Sequence, residues 1–293
     1  MRPASLIALY HAVGTPDLTG YRDAVPGALL ERHLAWLGRH YRVLPLDELL
    51  QRRRQGRSLE GLAALTFDDN PRTVLDLALP LAAALGLPAT WFLIGAPLAG
   101  RPFWRELARR VEVAGQVEAF LAFAATRGAA VQALRPARFY RDSKDPARVA
   151  GDLLPSLLEA FLPEAGPPAD FIAAQDLARL PAGVTLASPS ARHLVLAGLP
   201  AAAQRAEIAE GLATLRRLAP GASGALALPF GGPGSYDATT LAVADELGVE
   251  GLLLTAERPA AADDLAQHPL ARAARLPVLV RELPGRWPAE RFG

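Results

Sequence analysis

The sequence predicts an α/β fold built on a parallel sheet, a pattern that a barrel and a doubly wound sheet both satisfy. Three observations carry the prediction. Short apolar runs alternate with amphipathic helical stretches, the order expected of strands joined by helical crossovers. The runs are apolar throughout instead of alternating with polar residues, as strands are when both faces are covered. The 293 residues are 51% hydrophobic, which supplies a sizeable core and argues against wholesale disorder.

The elements follow in order. Leu6–Tyr10 is a buried strand that ends in polar, glycine-containing sequence. Residues 26–41 carry Leu29, Leu30, Leu34 and Leu37 at helical spacing and form an amphipathic helix. A second strand over 41–46 and a helix over 46–55 come next. The arginine-rich stretch 52–57 reads as that helix's C-terminus, where cations complement the helix dipole. Residues 62–67 form a strand that stops at Asp68-Asp69-Asn70. A helix over 74–85 ends at Gly86, where a C-cap glycine belongs, and a strand covers 88–94. Residues 101–168 break the rhythm, with helical patches at 106–113 and 149–161 around a polar segment at 135–148. This reads as a helical insertion in one domain spanning 1–293. The rhythm then returns: strand 184–188, helix Ala201–Leu218, strand 224–230, helix 237–247, strand Gly251–Thr255 and a last strand near 276–280.

Composition removes whole classes of function. Thirty-one basic and 30 acidic residues nearly cancel, so neither a nucleic-acid partner nor a membrane-surface partner is predicted. The absence of cysteine removes disulfides, thiolate-bound zinc and thiol nucleophiles. No apolar run reaches the length of about 18 residues that a membrane span needs. The first apolar run is cut short by Tyr10 and His11, unlike a signal peptide, so a cytoplasmic location is expected. Gly-x-Ser-x-Gly and His-Glu-x-x-His motifs are both missing, which argues against an α/β-hydrolase and a zinc protease.

The strongest chemical signal is Thr66-Phe67-Asp68-Asp69 at the end of an apolar strand. Paired carboxylates there sit at the face where parallel α/β enzymes place their sites. One can bind a metal while the other stays available as a base; a solvated turn capping a helix is the plainer reading. His193 follows the strand 184–188, and His11 ends the first strand, so a barrel would allow both to converge on the Asp pair; taken alone, a histidine before a leucine-rich stretch is more often a capping or core residue. His33 and His40, on or at the end of the first helix, are expected to be exposed, and with His268 they read as structural or surface residues. The glycine-rich loop 228–236 lacks the lysine and spacing of a phosphate loop. Its backbone suits close approach to a sugar, with Tyr236 available for stacking.

Taken together, these segments resemble the polysaccharide deacetylase (NodB homology) family. Tyr10-His11-Ala12-Val13 resembles the family's Tyr-His-x-Val. Leu65-Thr66-Phe67-Asp68-Asp69-Asn70 resembles its Thr-Phe-Asp-Asp-Gly. Residues 187–193, followed by Leu196, resemble Gly-Ser-His-Ser/Thr-x-x-His followed by Leu. Residues 228–236 and Arg275-Leu276-Pro277-Val278 resemble its Tyr-Pro-Phe/Tyr-Gly and Arg-Ile-Pro-Val segments. The resemblance implies a distorted (β/α) barrel of about seven strands. It implies metal-assisted hydrolysis of an N-acyl group on a saccharide, with Asp68 as base and Asp69 plus His193 holding a divalent metal, most simply zinc. Pro229, Phe230, Tyr236 and Arg275 fall in its substrate-facing segments. Two departures stand out. Pro189 occupies the place of a ligand histidine and has no donor atom, leaving His11 as the candidate replacement. Asn70 stands where the family has glycine, a mild change if the backbone there has positive φ. A catalytically impaired sugar- or partner-binding module is the alternative that Pro189 raises.

Overall fold

The computed structural model describes residues 5–14, 24–130, 134, 152–232, 234–255 and 278–282. Its strands are β1 Leu6–Tyr10, β2 Arg42–Val43, β3 Leu62–Asp68, β4 Ala89–Phe92, β5 Val184–Ala187, β6 Ala225–Ala227, β7 Gly251–Thr255 and β8 Val278–Arg281. The principal helices are α1 Gly27–His40, α2 Leu46–Arg54, α3 Leu79–Ala84, α4 Gly95–Leu98, α5 Trp104–Val113, α6 Val117–Ala125, α7 Leu153–Phe161, α8 Ala201–Leu218 and α9 Ala238–Glu246.

The strands β1-β3-β4-β5 form one parallel sheet and β6-β7-β8 another, with β2 paired to the start of β3. Backbone bridges join the two sheets at both edges. Leu9 donates to the Glu282 carbonyl at 2.7 Å, and Glu282 donates to that of Ile7 at 2.9 Å. On the other side Ala227 donates to the Ser188 carbonyl at 3.1 Å. Seven parallel strands therefore follow one another around a ring whose two seams are single bridges, Ala8 with Glu282 and Ser188 with Leu226. This is the α/β barrel type expected from the sequence, distorted at the seams.

β1 and β3 are buried along their full lengths, as apolar strands covered on both faces must be. The described residues of 101–168 pack onto the barrel. Trp104, Leu107, Val111, Phe120 and Leu158 share one apolar cluster with Leu212, Leu226 and Leu252.

Three local expectations are corrected. The second strand is two residues long instead of six, because Pro45 has no N–H for a ladder and initiates α2. The helix expected over 74–85 is a π-helical turn, Val74–Ala78, followed by α3. Pro80 is the cause: it cannot donate to the Asp76 carbonyl, and its ring crowds that oxygen, so the ladder widens locally. His33 is buried, with its Nδ1 3.3 Å from the Tyr10 hydroxyl. It lies on the same stripe of α1 as Leu30, Leu34 and Leu37. Burial and neighbouring Arg32 push its pKa down to about 4, so it is neutral near pH 7. His40 is exposed as expected, and His268 lies outside the described residues.

Candidate active site

The chemistry-bearing residues come together at the C-terminal ends of the strands. Asp68 is the last residue of β3, Asp69 follows it, His11 follows β1, and Arg281 ends β8. Arg281 donates from Nη1 to Asp68 Oδ1 at 2.5 Å, while His11 Nε2 stands 4.0 Å from Asp68 Oδ2. Arg281 is only 1% exposed, and its guanidinium carbon lies 5.2 Å from the centre of the Phe92 ring. A buried carboxylate is thus held in one orientation by a buried cation.

Asp69 turns away from the strand with φ 62°. Its carbonyl accepts from Trp91 Nε1 at 2.7 Å, which holds the turn. Asn70 is not the residue with positive φ, contrary to the allowance made for it from the sequence. Its side chain instead clips to the end of β4. Asn70 Oδ1 accepts from the Ile94 amide at 2.9 Å and Nδ2 donates to the Ile94 carbonyl at 3.2 Å. The amide therefore extends the sheet by one side-chain pairing and does not fill the site.

His193 is delivered by the loop after β5. Its Nε2 lies 3.8 Å from Asp69 Oδ1, and its ring meets Phe230 edge-on at 4.9 Å between centres. Its amide donates to Ser190 Oγ at 3.1 Å, and its carbonyl accepts from Trp104 Nε1 at 3.3 Å. Burial holds the His193 pKa below its ordinary value; Asp69 opposes that shift and Arg105 adds to it, so the imidazole is neutral near pH 7. The loop is anchored by Glu207 of α8, whose carboxylate accepts from the Arg192 amide at 2.9 Å. Close packing of the two requires Gly211: a Cβ there would come within 2.6 Å of Ser188 Oγ and the Ser190 carbonyl carbon.

Burial raises the Glu207 pKa above 4.5, the carboxylate's ordinary value. An acid with a raised folded-state pKa contributes stability that is present at low pH and is lost as pH climbs through the raised value. Glu207→Gln keeps an acceptor and removes the buried charge, so at pH 7 it is expected to be at least as stable as wild type. Glu207→Ala strands the Arg192 amide and is expected to cost about 1–3 kcal/mol in a urea unfolding curve. A Gln variant as unstable as the Ala variant would show that the charge, not the acceptor, holds the loop.

The glycine-rich loop after β6 carries Pro229, buried, and Phe230, half-buried against His193. Tyr236 differs from expectation. It is 4% exposed and belongs to the apolar core, since the chain turns inward to start α9. Arg275 lies outside the described residues. Among the described residues, the non-glycine positions with positive φ are Asp69, Ser190, His193 and Phe230. All four flank this site, and backbone strain of this kind gathers where function demands a particular geometry.

The donor set can be tested against a divalent metal. Asp69 and His193 offer two donors within reach of each other, and Pro189, buried in the same loop, offers none. His11 faces Asp68, and among the described residues no group of three metal-capable side chains is assembled. Catalytic zinc has three protein ligands and a water. The described residues do not fit such a centre.

Sequence reasoning missed three residues of this site. Arg281 directly continues an apolar strand, but a lone arginine there has an ordinary solvated reading. Arg105 and Glu207 look like any surface charges in a helix. No curated protein matches the chain. A family model described as polysaccharide deacetylase matches residues 55–119, the stretch that holds Asp68 and Asp69. The Streptococcus pyogenes deacetylase PplD, solved in complex with acetate, has a similar structure, with TM-score 0.60 and 16% identity over 99% of this chain and 96% of that one. A de-N-acetylase from Aggregatibacter actinomycetemcomitans gives TM-score 0.59 and 12% identity over 99% of each chain. A polysaccharide deacetylase from Bacillus cereus gives 0.58 and 13%, covering 99% of this chain and 68% of that one. The fold is that of the polysaccharide deacetylases, and the family match supports the resemblance read from the motifs.

Proposed function

We propose that this chain hydrolyses an N-acyl group on an amino sugar. The observation that carries the proposal is a buried carboxylate, Asp68, fixed by Arg281 at 2.5 Å at the C-terminal end of a parallel barrel. In this reading a water oxygen bonds to the acyl carbon while the C–N bond breaks. Asp68 takes a proton from that water, and the proton ends on the departing amine. His193 and Phe230 flank the acyl group, and Asp69 orients the imidazole. No step is assigned to a metal, because the donors do not fit one. The fold and the family likeness support deacetylation, and the geometry supports the residue roles.

The test is acetate release from N-acetylated oligosaccharides, with O-acetylated xylan oligosaccharides as comparison. Release from the N-acetylated set only supports the proposal. Tight binding of those oligosaccharides without any release would replace it with the second reading, a saccharide-binding barrel, which the two-donor site favours.

A further inference from the structure

Asp68 has its cation in Arg281. The neighbouring pair, Asp69 and His193, is approached by a different one. Arg105 sits in the first turn of α5 and is 7% exposed. Its guanidinium carbon lies 5.8 Å from the centre of the Phe230 ring, the ring that meets His193 at 4.9 Å. Arg105 and His193 thus flank one aromatic side chain. The residues beside Arg105 hold the same loop: Trp104 donates to the His193 carbonyl at 3.3 Å, and the Phe103 ring stands 6.1 Å from the imidazole. The charge of Arg105 acts on His193 directly, adding to the downward pull on its pKa.

The buried site brings together two carboxylates, Asp68 and Asp69, and two guanidiniums, Arg281 and Arg105. Buried charges persist when they are compensated. An ion between Asp69 and His193 would face the fixed positive charge of Arg105 across a poorly screened distance.

We propose that Arg105 takes the place of a metal at the Asp69–His193 pair, supplying the positive charge that faces the substrate's acyl oxygen. This rests on the reading of the site as hydrolytic and names the group that polarises the carbonyl. A guanidinium donates hydrogen bonds to a developing oxyanion but does not acidify a water as zinc does. Activation of the water is therefore left to Asp68 alone.

The test is zinc binding by calorimetry on metal-stripped protein, using wild type, Pro189→His, Pro189→His/Arg105→Leu and Pro189→His/Arg105→Lys, each checked for folding by circular dichroism. Restoring a third donor with Arg105 in place is expected to leave zinc binding weak. Removing the charge as well is expected to give about one zinc per chain, held about 100-fold or more tighter. Lysine at 105 should keep the ion out, which separates charge from shape. Tight zinc in wild type or in Pro189→His alone would overturn the proposal, as would no zinc in the leucine double variant or equal binding in its lysine counterpart. Acetate release by the wild type reports on the reaction separately. The expected zinc pattern without any release would remove the reaction and leave the charge replacement standing.

Discussion

Arg281→Met is expected to destabilise the protein by about 3–5 kcal/mol, the cost of stranding one partner of a buried ion pair. The side chain is 1% exposed and donates to Asp68 at 2.5 Å. Methionine fills a similar volume against Phe92 but offers no charge, so the buried Asp68 carboxylate loses its cation. The pair also closes a long loop: β8 reaches β3 across 213 positions of sequence. It locks the strand next to one of the two barrel seams, where, among the described residues, a single bridge between Ala8 and Glu282 joins the sheets. Urea unfolding at pH 7 checks the magnitude. The double variant Asp68→Leu/Arg281→Met should recover much of the loss, since replacing both partners of a buried pair by apolar groups is often close to neutral. If Arg281→Met costs under about 1 kcal/mol, the pair behaves like a surface one and its burial has been misjudged.

The same residue shows what the sequence reveals and what it hides. Each strand of the ring is legible as an apolar run, because burial on both faces leaves a continuous signal. Asp68, Asp69 and His193 are legible because a polar cluster ending an apolar run is unusual and because parallel sheets place chemistry there. Arg281 ends the last such run and was passed over, since a lone arginine at a strand end has an ordinary solvated explanation. Only the register, Thr255 beside Arg281 and Ala8 beside Glu282, brings it to β3. Tyr236 and His33 fail in the opposite sense. Both are polar-tipped residues in plausible surface positions, and tertiary packing buries them. Arg105 lay in a stretch read as an insertion, where local pattern carries no information about what the helix packs against. The α4–α6 region joins the core through contacts with residues more than a hundred positions away, such as Leu226 and Leu252. The backbone turns at Asp69 and Phe230 were equally hidden, because a positive φ at a non-glycine residue is imposed by the surroundings and not by the residue itself.

Asp68→Asn is expected to lower the rate of acyl release by about 100- to 10,000-fold, the range for removing a general base. Asparagine is nearly the same shape, and its side-chain oxygen still accepts from Arg281, so the site keeps its geometry. What it loses is the ability to take a proton. The effect should therefore fall on kcat with KM little changed, because the proposed substrate contact at Phe230 is untouched. Arg281 is left facing a neutral partner, so some stability is lost as well; unfolding curves establish that the variant is folded at the assay temperature before kinetics are compared. A comparison with Arg281→Lys separates the two effects. Lysine keeps the charge but not the fixed planar fork that orients the carboxylate. It is expected to reduce kcat by a smaller factor than Asp68→Asn while retaining most of the stability that Arg281→Met loses. If Asp68→Asn releases acetate at more than a tenth of the wild-type rate, Asp68 is not the proton acceptor. The base must then be sought at Asp69, His11 or His193, the other titratable side chains of the site.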